Sequence, residues 1–271
     1  MGDTITGLAG SRRNPEVPVE HEEYCARAGA EIARMAAITA DADPRTPVPS
    51  CPGWGLGKLL THTGITHRWA SAIVATRATG PVSSRALDVG LPEDPAGYPQ
   101  WLAAGAEPLL SALRDAGPDT PVWSFAGQVA SGWWARRMLH ETTVHRADAE
   151  LSIGAEPVID PVVAADGVDE FLAAARFGSR PSQRLAEFPD GQSIHLHATD
   201  EGLGEAGEWL ISFGDDGYEW RHGHAKGSVA VRGAASLLLL LVYGRVRPDD
   251  ERLQVFGDAG PLATWQQLMT L

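Results

Sequence analysis

Residues 131–153 read SGWWARRMLHETTVHRADAELSI, and the pattern in this stretch decides the fold. Strong helix formers dominate it and proline is absent, so we predict one long helix. Its residues Trp134, Met138, Glu141, His145 and Asp148 recur at intervals of three or four and therefore share one helix face. Large apolar groups on that face indicate burial, and a buried carboxylate must be paired or coordinated. The stretch therefore predicts a helix bundle with a polar site inside it.

Four further helices are predicted before residue 180. Each is a run of helix formers with an apolar stripe, bounded by proline, glycine or a capping aspartate. They span residues 18–42, 53–78, 95–116 and 160–177. Asp160 is the expected N-cap of the last one and Pro161 its first helical residue. Pro44, Pro47 and Pro49 exclude continuous helix between the first two.

The pattern changes after residue 188. Apolar and polar residues alternate over 194–199, which is the period of a half-buried strand. Further strands are predicted at 208–213, 218–221 and 228–232, and helices at 234–243 and 261–271. We therefore predict an α+β protein of two domains, a helical bundle with its connecting helix over 1–188 and a small α+β domain over 189–271.

The alternation after residue 188 also predicts where four histidines point. His195 and His197 lie on the side of the strand opposite its apolar residues, and His222 and His224 repeat the same spacing. We therefore expect all four to face solvent and to form no second metal site.

The composition excludes several classes of partner. The chain has 271 residues and a formal net charge of -13, whereas nucleic-acid binding needs Lys and Arg concentrated on one face. The longest apolar run, residues 237–242, is far shorter than the roughly 20 residues of a membrane span. The N-terminus has no apolar signal segment, and the two cysteines are too few for a disulfide framework. We expect a cytoplasmic monomer or homodimer that binds neither nucleic acid nor membrane.

A metal site is predicted from three residues. Glu141 and His145 lie four apart on one helix, so their side chains leave the same face within about 6 Å of each other. Such a pair also occurs on solvated helices, but His62 on the second predicted helix is placed to meet it in a bundle. Three protein ligands leave a tetrahedral ion one open position, as in catalytic zinc sites. We predict that these residues bind one divalent ion per chain, zinc in first place.

Several motifs of the chain resemble those of a known family. They are Cys51-Pro52-Gly53-Trp54 with Leu59 and His62, His67-Arg68-Trp69, Arg137-Met138, His140-Glu141-Thr142, His145-Arg146, Asp148-Ala149-Glu150, residues 165–168 with Glu170, and Val231-Arg232-Gly233. Together they resemble the mycothiol-dependent maleylpyruvate isomerase family. The resemblance implies a DinB-like four-helix bundle followed by a sterol-carrier-like α+β domain, with His62, Glu141 and His145 as zinc ligands.

The resemblance also implies a reaction. Mycothiol would be the thiol cosubstrate, and its zinc-bound thiolate would attack a small electrophilic substrate in an isomerase or transferase reaction. A free thiol with a pKa of about 8.5 is mostly protonated at neutral pH, and coordination to zinc deprotonates it. Lys58 and Ala147 depart from the family pattern, which expects an acidic and an aromatic residue there. A zinc hydrolase and a non-catalytic carrier remain alternatives.

Other residues are candidates for supporting roles. Guanidinium groups bind carboxylates and hydroxyls through two parallel hydrogen bonds, and four are candidate cofactor-binding residues: Arg68, Arg137, Arg232 and Arg245. Asp148 is placed either to orient His145 or to pair with a cation such as Arg146.

The remaining polar and aromatic candidates are expected to serve packing. His67 cannot easily share an ion with His62, because residues five apart diverge around a helix, so we expect it in the core or behind a metal ligand. His140 faces elsewhere by the same geometry. Trp54 is expected to anchor the bundle beside the pocket mouth, and Cys51 to be a small buried group.

Overall fold

Helices form the first part of the chain and a sheet the second. The computed structural model describes residues 20–175, 191–214 and 217–268. Its helices are α1 His21–Ile38, α2 Leu56–Ala75, α3 Tyr98–Ala104, α4 Ala106–Ala116, α5 Ser131–Ser152, α6 Pro161–Ala174, α7 Ala235–Val242 and α8 Gly260–Leu268. Its strands are β1 Pro121–Ser124, β2 Gly127–Ala130, β3 Ser193–Ala198, β4 Glu208–Gly214, β5 Gly217–His222, β6 Val229–Gly233 and β7 Gln254–Gly257. The predicted α+β class is confirmed.

The bundle is built around α5. Helix α1 packs along α5, and α2 contacts α3, α4 and α5. Apolar side chains from all of them form one core, including Ile32, Leu59, Leu102 and Trp134. None of the helices in the described ranges is both long and apolar enough to cross a membrane.

Five strands of the second part form one sheet in the order β5-β4-β3-β6-β7. The central strand β3 runs parallel to β6 and antiparallel to β4. A second core, with Phe171, Trp209, Leu239 and Trp265, joins this sheet to α6, α7 and α8. The predicted boundary at residue 188 lies outside the described residues and stays a prediction.

Several helices are shorter than predicted. Helix α1 ends at Ile38 instead of residue 42, and the hydroxyl of Thr39 donates to the Met35 carbonyl 2.8 Å away. Helix α2 begins at Leu56, after the left-handed Gly53. At the start of α6 the side chain of Asp160 accepts from two backbone N–H groups, as predicted for an N-cap. The predicted ends at 18–19, 176–177 and 269–271 lie outside the described residues.

The prediction of one helix over 95–116 is wrong, because the chain breaks at Gly105. Arg68 of α2 donates to the carbonyl of Trp101 at 2.8 Å, which is the acceptor that a continuous helix would offer to the Gly105 N–H. That N–H bonds Leu102 at 3.0 Å instead. A Cβ at position 105 would lie 2.5 Å from the Arg68 guanidinium, so glycine permits the close approach.

The hairpin of β1 and β2 was not predicted. Its strands have four residues each, too short for a period to show, and Gly127 provides the left-handed turn residue. Trp123 of the hairpin lies edge-on to Trp69, and its carbonyl accepts from the indole of Trp134 at 2.9 Å. The hairpin therefore packs against Trp69 of α2 and Trp134 of α5.

The expectation that four histidines face solvent is wrong for two of them. His195 is 3% exposed, and the side chain of His222 is 2% exposed and lies 3.1 Å from Asp169. The side chains of His197 and His224 are 32% and 78% exposed. The alternation within β3 describes one strand only, whereas residues 223–228 cross over its other face on their way from β5 to β6.

We predict that Gly64→Ala destabilises the fold although alanine favours helix. A Cβ on Gly64 would lie 2.2 Å from Trp101, whose ring is held by Arg68 at 3.9 Å and by an indole hydrogen bond to Val89. Overpacking costs about 1–3 kcal/mol and exceeds the helix-propensity gain of about 1 kcal/mol. Urea unfolding should show the loss. Gly80→Ala is the control, because its Cβ meets open space; a Gly64→Ala chain as stable as wild type would contradict the packing described.

Candidate metal site

His62, Glu141 and His145 converge between α2 and α5. The Oε1 atom of Glu141 lies 3.1 Å from His62 Nε2 and 3.3 Å from His145 Nε2. The two imidazole rings are nearly perpendicular, with centroids 5.1 Å apart. One ligand atom from each residue lies within 4.8 Å of the others. Two imidazoles and a carboxylate fit zinc or a similar transition metal and leave one position open.

Glu141 is held as an anion by its neighbours. Arg137, one turn earlier on α5, donates to Glu141 Oε2, while its other nitrogen bonds Glu170 of α6 at 2.7 Å. Burial alone would raise the pKa of Glu141, but the charges of Arg137 and His145 outweigh it and hold the pKa well below its usual range. Because Arg137 occupies Oε2, the other oxygen of Glu141 is directed toward the two histidines.

The ring of His145 is oriented by Asp148. Its Nδ1 lies 2.9 Å from Asp148, which leaves Nε2 turned toward Glu141. Burial would lower the pKa of His145, but Glu141 and Asp148 outweigh it and raise the pKa to about 9. Asp148 also accepts two 3.0 Å hydrogen bonds from Arg245, whereas Arg146 bonds Glu31 and Glu150. Of the two roles considered for Asp148, the structure favours the orienting one, with Arg245 as the cation.

A cavity of about 420 Å³ opens beside the three residues. Trp54 forms one wall, with its ring centroid 5.0 Å from that of His62 and 6.4 Å from that of His145. Trp54 thus contacts the site directly, and Lys58 lies over its ring at 5.0 Å. The wall includes residues of the bundle and residues that follow α7: Ser50, Cys51, Pro52, Trp54, His62, Arg137, Glu141, Val144, His145, Tyr243 and Arg245.

Cys51 lies in the cavity wall as a protonated thiol. Burial raises its pKa to about 11, and its Sγ is 3.6 Å from Asp148. Cys51, His145 and Asp148 form a second possible donor set. We favour the first set because the guanidinium of Arg245 bonds both oxygens of Asp148, and this positive charge opposes a cation there.

Two of the four predicted arginines lie away from the cavity. The guanidinium of Arg68 stacks on Trp101 and bonds backbone carbonyls, so it serves helix packing. Arg232 is exposed on β6. Their positions follow from packing and topology, which the side-chain type alone does not reveal.

Two further helix histidines, His67 and His140, are buried and hold neighbouring elements together. His67 Nε2 lies 2.8 Å from the hydroxyl of Thr142, and burial lowers the pKa of His67 to about 4. His140 Nε2 lies 2.6 Å from Asp166 of α6. Neither belongs to the group of metal-binding candidates, as the helical geometry predicts.

Glu170 and Tyr243 were not predicted to take part in the site. A signal existed for Glu170, because it stands among buried apolar residues of α6 and a lone carboxylate there requires a partner. Tyr243 follows an apolar helix and offers no pattern that indicates a cavity.

Comparison with known families agrees with this architecture. A family model described as the mycothiol maleylpyruvate isomerase N-terminal domain matches residues 25–150, and one for the MDMPI C-terminal domain matches residues 162–264. The chain belongs to the mycothiol-dependent maleylpyruvate isomerase family. The family takes its name from an enzyme, an isomerase, and the prediction that the chain is an enzyme is confirmed.

Solved structures of family members share the fold. Mycothiol-dependent maleylpyruvate isomerase matches with a TM-score of 0.56 and 15% identity, over 88% of this chain and 93% of that one. A histidine-to-alanine mutant of mycothiol-dependent maleylpyruvate isomerase matches with a TM-score of 0.59 and 13% identity over the same shares. No curated protein sequence matches the chain. At these identities the likeness extends to the fold alone.

We predict that His62→Ala removes one equivalent of bound divalent metal while the protein stays folded, since apolar packing supplies most of the bundle's stability. Cys51→Ser is the matched control, because it changes the same cavity wall but only the disfavoured donor set. Elemental analysis of zinc-loaded, desalted protein gives the stoichiometry. Loss of metal in Cys51→Ser with retention in His62→Ala would assign the ion to the other set.

We predict that His145 stabilises the metal-free protein in a pH-dependent way. Its pKa is raised from 6.5 to about 9, so its contribution is fully present below pH 6.5 and is lost as the pH rises through 9. Urea unfolding of metal-free protein at several pH values should show this decline, and His145→Gln should flatten it. Parallel profiles for the two proteins would contradict the charge assignment.

Proposed function

We propose that the chain is a zinc-dependent transferase or isomerase that uses mycothiol and acts on a small electrophilic substrate. The observation that carries the proposal is the convergence of His62, Glu141 and His145 at the wall of a cavity of about 420 Å³. This volume lies within the range of small-molecule sites. Family membership supports mycothiol as the thiol, and the donor set supports zinc as the ion.

The residues around the ligands prepare them for the ion. Zinc, when bound, would deprotonate a coordinated thiol and hold it as a nucleophile. Arg137 keeps Glu141 ionised and directs one oxygen to the site, and Asp148 turns Nε2 of His145 toward it. Because His145 carries a proton in the metal-free protein, metal binding must displace that proton.

In this proposal a cosubstrate supplies the nucleophilic sulfur. Cys51 is the cysteine in the cavity wall, and its pKa of about 11 keeps it protonated at neutral pH. The apolar surfaces of Trp54 and Val144 flank the ligands and provide room for the carbon skeleton of a substrate.

The two cavity arginines have a positioning role in this proposal. The guanidinium groups of Arg137 and Arg245 already bond the carboxylates of Glu141, Glu170 and Asp148. We therefore assign them to holding the metal ligands, in place of the direct cofactor binding expected from the sequence. The cytoplasmic location and the oligomeric state stay predictions from the sequence.

We predict that mycothiol raises the melting temperature of the zinc-loaded protein and leaves that of His62→Ala unchanged. A ligand that binds only the native state stabilises it by about 2.7 kcal/mol at 100 times its Kd. Cys51→Ser should respond like wild type. Glu141→Gln should respond less, because a neutral amide binds the ion more weakly than a carboxylate. A mycothiol analogue without the thiol should stabilise much less.

Turnover separates this proposal from its alternatives. Maleylpyruvate, which the family name contains, is the first electrophile to test, with and without mycothiol. Consumption that needs the thiol supports the proposal. Hydrolysis that proceeds without the thiol would favour a zinc hydrolase, and equal stabilisation by the thiol and its thiol-free analogue, with no turnover, would favour a carrier.

A further inference from the structure

Three histidines surround one carboxylate oxygen at one end of the sheet. Glu208 Oε2 lies 3.1 Å from Nε2 of His195, 3.5 Å from Nδ1 of His197 and 2.8 Å from Nδ1 of His224. The ring centroids of the three histidines are 5.3–6.1 Å apart, and each pair of rings is within a few degrees of perpendicular. None of the four residues lines the cavity of the bundle site.

The fold builds this group from three separate segments. Strands β3 and β4 are antiparallel, with His197 directly opposite Glu208 and His195 two residues farther along the same face. Strands β5 and β6 lie on opposite sides of the β3–β4 pair, so the chain between them must cross both. His224 lies on that crossing segment, residues 223–228, and is thereby brought to Glu208.

The crossing segment is held close over β3. A Cβ on Gly227 would lie 2.9 Å from the backbone nitrogen of His195, so only glycine fits this approach. Ser228 donates its N–H to the Ser193 carbonyl at 3.0 Å, and its hydroxyl accepts the Ser193 N–H at 3.1 Å. The segment therefore buries His195 and fixes the backbone position of His224.

Glu208 has more histidine partners than an ion pair requires. One carboxylate is satisfied by one or two protonated partners, whereas here three imidazoles aim a nitrogen at the same oxygen. Ligand atoms of His195, Glu208 and His224 lie within 4.8 Å of one another. Bonds of about 2.0–2.2 Å from a central ion give spacings of this order.

We propose that His195, Glu208 and His224 form a second metal site, with His197 within reach as a fourth ligand. The set suits a transition-metal dication such as zinc, because imidazole prefers these ions and calcium or magnesium prefers all-oxygen sites. The exposed rings of His224 and His197 give the ion access from solvent. An ion here ties the crossing segment to β3 and β4, so its role is to stabilise the sheet. The site is independent of the proposed reaction and replaces the expectation of one ion per chain.

The test uses the full chain with His62→Ala, in which the bundle site is disabled. After chelation and desalting, zinc is titrated and the bound equivalents and the melting temperature are measured. We expect one tightly bound equivalent and a rise in melting temperature. Adding His224→Ala should weaken zinc binding by roughly tenfold or more, since loss of even an outer-shell partner costs about 10–100-fold. His224 is largely exposed, so this variant should fold without the ion.

A matched pair of charge variants provides the control. Glu208→Gln should weaken zinc binding, and Glu219→Gln should not, although both remove one negative charge from the same sheet. Glu219 is exposed and pairs with Ser212, four residues or about 13 Å along β4 from Glu208. Cobalt should give the visible spectrum of a nitrogen-ligated ion in the His62→Ala chain. Absence of bound zinc in that chain, or binding that His224→Ala leaves unchanged, would overturn the proposal.

Discussion

A helix that is buried on every side can carry charged residues only if each finds a partner, and α5 is such a helix. Its charged and titratable side chains are paired with residues of three neighbouring segments. The pairs are Arg137 with Glu170, His140 with Asp166, Arg146 with Glu31, Glu150 with Arg34, and Asp148 with Arg245. These pairs fix α5 against α1, α6 and the segment after α7. The geometry of the candidate site follows from this requirement.

Helix α6 and the segment after α7 support the bundle site without supplying a metal-binding candidate. Glu170 of α6 holds Arg137, which holds Glu141, and Arg245 holds Asp148, which orients His145. Both relays end on a side chain of α5. A bundle without α6 and the chain after α7 would leave Arg137 without Glu170 and Asp148 without Arg245. This dependence gives a physical reason for the two parts of the chain to occur together.

The sequence predicts the pairing of Glu141 with His145 because their spacing on one helix is a local property. The addition of His62 depends on the predicted bundle and on the family resemblance. The sequence does not predict the break at Gly105, since the cause is a hydrogen bond from Arg68 on another helix. The burial of His195 cannot be predicted from the pattern of β3 either, because the segment that covers it follows β5, which is not a neighbour of β3 in the sheet. Periodicity describes one face of one element, and features made by the approach of a second element lie beyond it.

Charge balance gives a physical reason to expect an anionic ligand at the proposed metal site. The carboxylates of Glu141, Glu170 and Asp148 face the guanidinium groups of Arg137 and Arg245, which leaves one negative charge. In the metal-free protein a protonated His145 compensates it. A divalent ion bound there would require neutral histidines and would change the balance to one positive charge. With the proposed ion in place, a neutral ligand would leave that charge uncompensated, whereas a thiolate would cancel it. The surrounding residues would then favour the deprotonated sulfur of the proposed cosubstrate over the thiol.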